Sequence, residues 1–201
     1  NNGIGITLEA SNSTAIVVIT DNSFDGWTAT GNGIDLHIGF GSPVPTGLTV
    51  HFLIEDNAIT DPDGDGFEID FDGINTRIFG TINNNTINGS LIQTEVGINL
   101  DDDSSGEGIE ATVFITNNTV SNTLQSCIKY RPFNDDPGPS HDIQLVIDGN
   151  TLTNPNSDNS LPTTTGQTTP PEEAGVDISD DSGIDDEKYI VNAEITNNII
   201  T

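Results

Sequence analysis

Basic residues are almost absent: four Lys and Arg stand against 32 Asp and Glu, a formal charge of −28. A surface of that sign repels nucleic acid and anionic membranes, which are bound through Lys and Arg, so neither is expected as a partner. It suits cations, and Ca2+ is the expected cofactor. Cysteine occurs once, at Cys127, so no internal disulfide can form and the redox compartment is left open. No run of about 18 apolar residues exists, and no membrane insertion is expected. Methionine is missing even from the first position, and no signal peptide is recognisable. The sequence is therefore expected to be a processed product or a segment of something longer. Aromatics make up 5% and hydrophobic residues 32% of the 201 residues, lean for a compact globule. A solenoid tolerates this, because each coil buries only a narrow inner stripe against its neighbours. Helical spacing is weak throughout, which leaves strands.

What the chain has in plenty is asparagine inside a recurring apolar frame. In residues 80–100, Ile82, Asn85 and Ile87 spell I-x-x-N-x-h, where h is apolar. After a polar turn, Gly97-Ile98-Asn99-Leu100 reads G-h-x-h. The frame returns as Ile19/Asn22/Phe24 with Gly33-Ile34-Asp35-Leu36, and as Ile54/Asn57/Ile59 with Gly66-Phe67-Glu68-Ile69. It returns again as Ile115/Asn118/Val120 with Cys127-Ile128-Lys129-Tyr130, as Ile147/Asn150/Leu152 with Gly175-Val176-Asp177-Ile178, and as Ile195/Asn198/Ile200. The asparagines Asn22, Asn57, Asn85, Asn118, Asn150 and Asn198 lie 35, 28, 33, 32 and 48 residues apart. Self-similarity at such a period is the mark of a solenoid.

A longer alternating strand runs into each I-x-x-N, at 15–19, 48–54, 74–82, 109–115, 143–147 and 189–195. One coil is thus a long strand, a corner at the asparagine, a short strand, a turn and the G-h-x-h strand. Asparagine suits the corner because it enters the left-handed backbone region readily. With coils stacked at about 4.8 Å, equivalent asparagines are expected to bond side chain to side chain as a ladder.

Coils of 28 to 35 residues are too long for hexapeptide-type left-handed helices. They fit an all-β, right-handed parallel β-helix of about six coils, one domain over 1–201. Through motifs such as Ile82-Asn83-Asn84-Asn85-Thr86-Ile87 and Ile115-Thr116-Asn117-Asn118-Thr119-Val120, the chain resembles the pectate-lyase-like superfamily. The resemblance covers nearly every coil and concerns the scaffold. It implies polysaccharide lyases, glycosidases, adhesins and passenger stalks as the range of functions, because the fold does not choose among them. Two segments leave the pattern: a Pro/Thr/Ser-rich loop at 153–174, which accounts for the 48-residue interval, and a Gly/Pro loop at 39–47.

The two ends join as EITNNIIT-NNGIGITLE, a coil of the same kind, with 25 residues from Asn198 to the next copy's Asn22. No capping segment is recognisable. An unpaired edge recruits another copy, and a head-to-tail contact that does not close makes a filament. The expected partner is another copy end to end, joined covalently or not.

The strongest chemical motif is 61–72, where Asp61, Asp63 and Asp65 alternate before Gly66 and Asp72 closes the loop. Three carboxylates at alternate positions are expected to hold Ca2+ as calcium loops do, although position twelve is Asp rather than Glu and no helix flanks it. An acidic solvated turn is the alternative. The runs Asp101-Asp102-Asp103, Asp180-Asp181 and Asp185-Asp186 read as solvated faces or weaker calcium sites.

Aligning the G-h-x-h strands builds two outward columns: Asp35, Glu68, Asn99, Lys129, Asp177 and His37, Asp70, Asp101, Arg131, Ser179. The family resemblance implies that, in an enzyme, Lys129, Arg131, Asp101 and Asp70 would line the cleft, a base taking a proton from a uronate or paired acids working as in glycosidases. The face lacks an aromatic platform, and the bases can simply offset nearby acids. His51 and His141 have no second histidine at ligand spacing. Cys127 replaces a glycine and reads as a small inward residue, and Trp27 as a corner cover. Sequons at Asn12, Asn84, Asn88 and Asn117 are glycosylation candidates if the chain is extracellular, and the Thr-rich stretch 163–169 could carry O-glycans. The expectation is an extracellular or cell-surface structural protein, stacked into a fibre, sheath or stalk. A polysaccharide-cleaving enzyme or a calcium-dependent adhesin is the alternative.

Overall fold

The structure is a computed structural model and describes residues 2–25, 31–90, 94–104, 108–134, 141–155, 175–178 and 189–201. Trp27, the loop from 156 to 174, Ser179 and the acids at 180, 181, 185 and 186 lie outside the described residues.

Every coil contributes three strands. The first holds β1 (Ile4–Leu8), β2 (Thr14–Thr20) and β3 (Ser23–Phe24); the second β4 (Ile34–Ile38), β5 (Thr49–Glu55) and β6 (Ala58–Thr60). The third holds β7 (Phe67–Phe71), β8 (Arg77–Asn83) and β9 (Thr86–Asn88); the fourth β10 (Ile98–Ser104), β11 (Glu110–Thr116) and β12 (Thr119–Thr123). The fifth holds β13 (Ile128–Asn134), β14 (His141–Asp148) and β15 (Thr151–Pro155); the sixth β16 (Val176–Ile178), β17 (Tyr189–Thr196) and β18 (Ile199–Ile200). Each strand pairs in parallel with the strand three later, giving three six-stranded sheets: β1-β4-β7-β10-β13-β16, β2-β5-β8-β11-β14-β17 and β3-β6-β9-β12-β15-β18. This is a parallel β-helix of six coils.

Period-two alternation in the sequence becomes inner columns in the fold. Ile34, Phe67, Ile98 and Ile128 stack along the first sheet, Ile19, Ile54, Ile82, Ile115 and Ile147 along the second, and Ile59, Ile87, Val120 and Leu152 along the third. Fully burying one such side chain contributes roughly 1.5–3 kcal/mol. The columns also trade volume: a Cβ on Gly80 would lie 2.0 Å from the ring of Phe52, its neighbour one coil back.

The second sheet meets the third at the asparagine corner. Nδ2 of Asn22, Asn57, Asn85, Asn118 and Asn150 donates to Oδ1 of the next ladder asparagine at 2.9, 2.9, 2.9, 3.0 and 2.9 Å. The same oxygen also accepts the backbone N–H of the previous ladder residue. The left-handed residue, however, is the one before the ladder asparagine: Asp21, Asp56, Asn84, Asn117 and Asn197 have φ of 57, 57, 54, 56 and 54°, and Gly149 has 68°. The reason is a division of labour. One residue reverses the chain, and the next turns its amide inward, where every donor and acceptor finds a partner. The strand expected from Ile74 begins instead at Arg77, because Asn75 takes φ 52° and breaks the run.

The glycines that open G-h-x-h sit where two coils press together. A Cβ on Gly97 would lie 2.2 Å from Val120 Cγ1 and 2.5 Å from the Cys127 carbonyl oxygen. The backbone oxygen cannot yield without breaking the ladder, so Gly97→Ala is expected to destabilise by about 1–3 kcal/mol, as overpacked cores do. Urea unfolding followed by circular dichroism checks this; an unchanged midpoint would mean the coils can part there without loss. Cys127 takes the equivalent place in the next coil and is fully buried. Burial pushes its thiol up to about 11, which agrees with a packing role.

Candidate functional site

The outward face of the first sheet gathers most of the chain's chemistry. Strand pairing aligns Asp35, Glu68, Asn99, Lys129 and Asp177 in one column, and His37, Asp70, Asp101 and Arg131 in the adjacent one. These are the columns drawn from G-h-x-h. Parallel in-register stacking brings side chains from neighbouring coils to about 4.8 Å, close enough for direct pairing.

Pairing is what they do. His37 Nε2 lies 2.8 Å from Asp35 Oδ1, and His37 Nδ1 lies 2.6 Å from Asp70 Oδ2. Arg131 grips Asp101 with two nitrogens, Nε donating to Oδ1 at 3.2 Å and Nη2 to Oδ2. Asn2 Nδ2 donates to Asp35 Oδ2, and Asn32 Nδ2 to Glu68 Oε2. Asp35 and Asp101 are buried although their strands point them outward. Burial pushes the Glu68 carboxyl up, and the neighbouring charge of Asp35 adds to the rise. The ring of Phe40 stands beside His37, centroids 5.3 Å apart.

Among the described residues, the four acids of the expected calcium loop do not form a set with ligand atoms within 4.8 Å of one another. Asp61 is exposed at a turn with φ 48°, and Asp63 is half-buried. Asp65 is buried; its Oδ1 accepts the Val96 N–H at 2.9 Å and its Oδ2 the Asn99 amide at 2.9 Å. Burial pushes this carboxyl up to about 7. Asp72 lies beyond the far end of β7, its Oδ1 accepting the Gly73 N–H at 2.7 Å. Among the described residues, one set of three His, Cys, Asp or Glu brings ligand atoms within 4.8 Å of one another: Asp35, His37 and Asp70.

The Asp101-Asp102-Asp103 run is not uniformly solvated either. Strand alternation turns Asp102 into the core, where its Oδ2 lies 2.7 Å from His141 Nδ1, with both side chains essentially inaccessible. Extending G-h-x-h by two residues points to this inward place. The hydropathy of three consecutive acids points the other way.

The sequon asparagines Asn12, Asn84, Asn88 and Asn117 are all exposed. Asn84 and Asn117 hold equivalent corner positions, and their amides donate to Asp56 at 2.5 Å and Asn83 at 3.0 Å. Asn88 Oδ1 accepts from Ser121 and Asn122.

On the second sheet the outward face carries an apolar patch across the first four coils, beside the Arg77–Glu110 ion pair. Ile16, Val18, Phe79 and Phe114 are exposed there, and the His51 ring stacks on Phe79 with centroids 5.0 Å apart. No known protein family, curated protein or solved structure matches the chain.

Proposed function

We propose that the chain is a stretch of an extracellular structural rod, in which coil follows coil end to end into a fibre, sheath or stalk. The observation that carries this reading is the regularity of the stack: the asparagine ladder runs unbroken from coil to coil over one continuous apolar core. A coil with no neighbour beyond it leaves the same columns open, Ile195 and Ile200 being 48% and 54% exposed. Covering such a surface with a further coil, from the same chain or another copy, removes apolar area from water and pairs the free strand edge. The acidic surface and the exposed sequons suit an extracellular coat of cations and glycans.

Light scattering and electron microscopy of the purified 201-residue chain are the test. Filaments with a rise of about 29 Å, six coils at about 4.8 Å each, are expected. Ile200→Asp places a charge on the contact at the open end of the Leu152 column, and is expected to leave single particles whose circular dichroism shows the coils before the sixth still folded. A chain that stays single at every concentration sinks stacking between copies and leaves only a covalently continuous rod.

The second reading, a polysaccharide-cleaving or glycan-binding face in the manner of pectate-lyase-like proteins, is favoured by the acids, Lys129 and Arg131 gathered on the first sheet. It ranks second because Asp101, in the same column as Arg131, is already held by it through two hydrogen bonds. Release of sugar from a uronate polymer, abolished in Lys129→Ala, would reverse that ranking.

A further inference from the structure

We infer that Asp35, His37 and Asp70 form a binding site for a first-row divalent metal of the zinc type, with two carboxylate oxygens and one imidazole nitrogen as ligands. The three residues belong to two neighbouring coils. Asp35 and His37 are two apart on β4 and so share a face, and strand pairing sets Asp70 of β7 directly beside His37. Their ligand atoms all lie within 4.8 Å of one another. A tetrahedral zinc ion with bonds near 2.0–2.1 Å needs its ligands about 3.3 Å apart, which small side-chain rotations supply.

A second observation points to a ligand. Asp35 is 7% exposed, and its Oδ1 has no hydrogen-bond partner. His37 Nδ1 is likewise buried without one. Both atoms make close contacts, yet neither contact has hydrogen-bond geometry. Buried polar atoms are costly unless satisfied, so atoms that converge without bonding one another mark the place of a shared partner. A cation bound by all three satisfies them together.

The surroundings fit. Asn2 holds the other oxygen of Asp35, leaving Oδ1 for the metal, as outer partners orient metal carboxylates. Phe40 walls the imidazole. Two carboxylates neutralise a divalent ion, and the −28 charge of the chain draws cations to it. The imidazole decides the class: Ca2+ takes six to eight oxygen ligands, whereas imidazole with carboxylates suits zinc and its neighbours. Three protein ligands leave a position open to water, as in reactive rather than purely structural zinc sites.

The test is titration of chelator-stripped protein with Zn2+ by calorimetry, in the presence of excess Ca2+ to occupy surface acids. One Zn2+ per chain is expected, and His37→Gln and Asp70→Asn are each expected to weaken it by at least about 100-fold. His51→Gln, on the second sheet, is expected to bind as the parent does. X-ray absorption of the unmodified protein with Zn2+ is expected to show one imidazole among oxygen ligands, a readout independent of how the variants fold. Displacement of the Zn2+ by the Ca2+, undiminished binding in His37→Gln, or an absorption spectrum without imidazole overturns the assignment.

Discussion

Asn85→Ala is expected to lower the stability of the β-helix by about 4 kcal/mol, from a buried N–H left unpaired, the lost amide bonds of the ladder and a small cavity. Asn85 is 1% exposed. Its Oδ1 accepts the Asn57 N–H at 3.0 Å and the Asn57 amide at 2.9 Å, while its own amide donates to Ile54 O and Asn118 Oδ1, each at 2.9 Å. Alanine leaves the Asn57 N–H without an acceptor, and takes one donor from the Ile54 carbonyl, in an apolar interior that water does not enter. At about 2–4 °C per kcal/mol for a chain of this size, the melting midpoint falls by roughly 10 °C. Asn198→Ala, in the sixth coil, is expected to cost only about 1 kcal/mol, because water can reach the groups it leaves. Thermal and urea unfolding of the two variants measure the contrast. Equal losses would mean that the corner is held by strand pairing and that the ladder contributes nothing beyond it.

The same residues explain how much of the fold could be read from the sequence. The six coils were legible because each repeats a local rule, alternation into a corner, and stacking turns that rule into columns without further information. The outward columns of the first sheet followed from it. The left-handed position was misplaced by one residue because Asp21, Asp56 and Asn84 look like solvated turn residues, and only the hydrogen bonds separate the residue that bends from the one that bonds. The site was legible in its parts and not in its assembly. His37 and Asp70 stood in one column, but that Asp35 Oδ1 lacks a hydrogen-bond partner is a fact of packing. Asp61, Asp63, Asp65 and Asp72 were grouped by spacing alone, and β7 carries the last of them away from the others. Asp102 and His141 are 39 residues apart and meet only because their coils do.

Asp65→Asn is expected to stabilise the protein at pH 8 and to flatten its pH dependence between pH 5 and 8. The Asp65 carboxyl titrates near 4 in the unfolded chain and at about 7 in the folded one, chiefly because burial opposes the charged form. Between those values the folded state binds the extra proton, so stability falls as pH rises and is lowest once Asp65 is charged in both states. The full penalty is of order 4 kcal/mol, of which about 2.5 kcal/mol develops between pH 5 and 8. Glu68, raised for the same reason, adds in the same direction. An amide at position 65 keeps the acceptor for the Val96 N–H. Its new N–H can meet Asn99 Oδ1, a buried atom that now lacks a partner, once the Asn99 amide turns over. Denaturant midpoints at pH 5, 6, 7 and 8 compare the two proteins. Parallel curves would mean that water reaches Asp65 and that its charge costs the fold nothing.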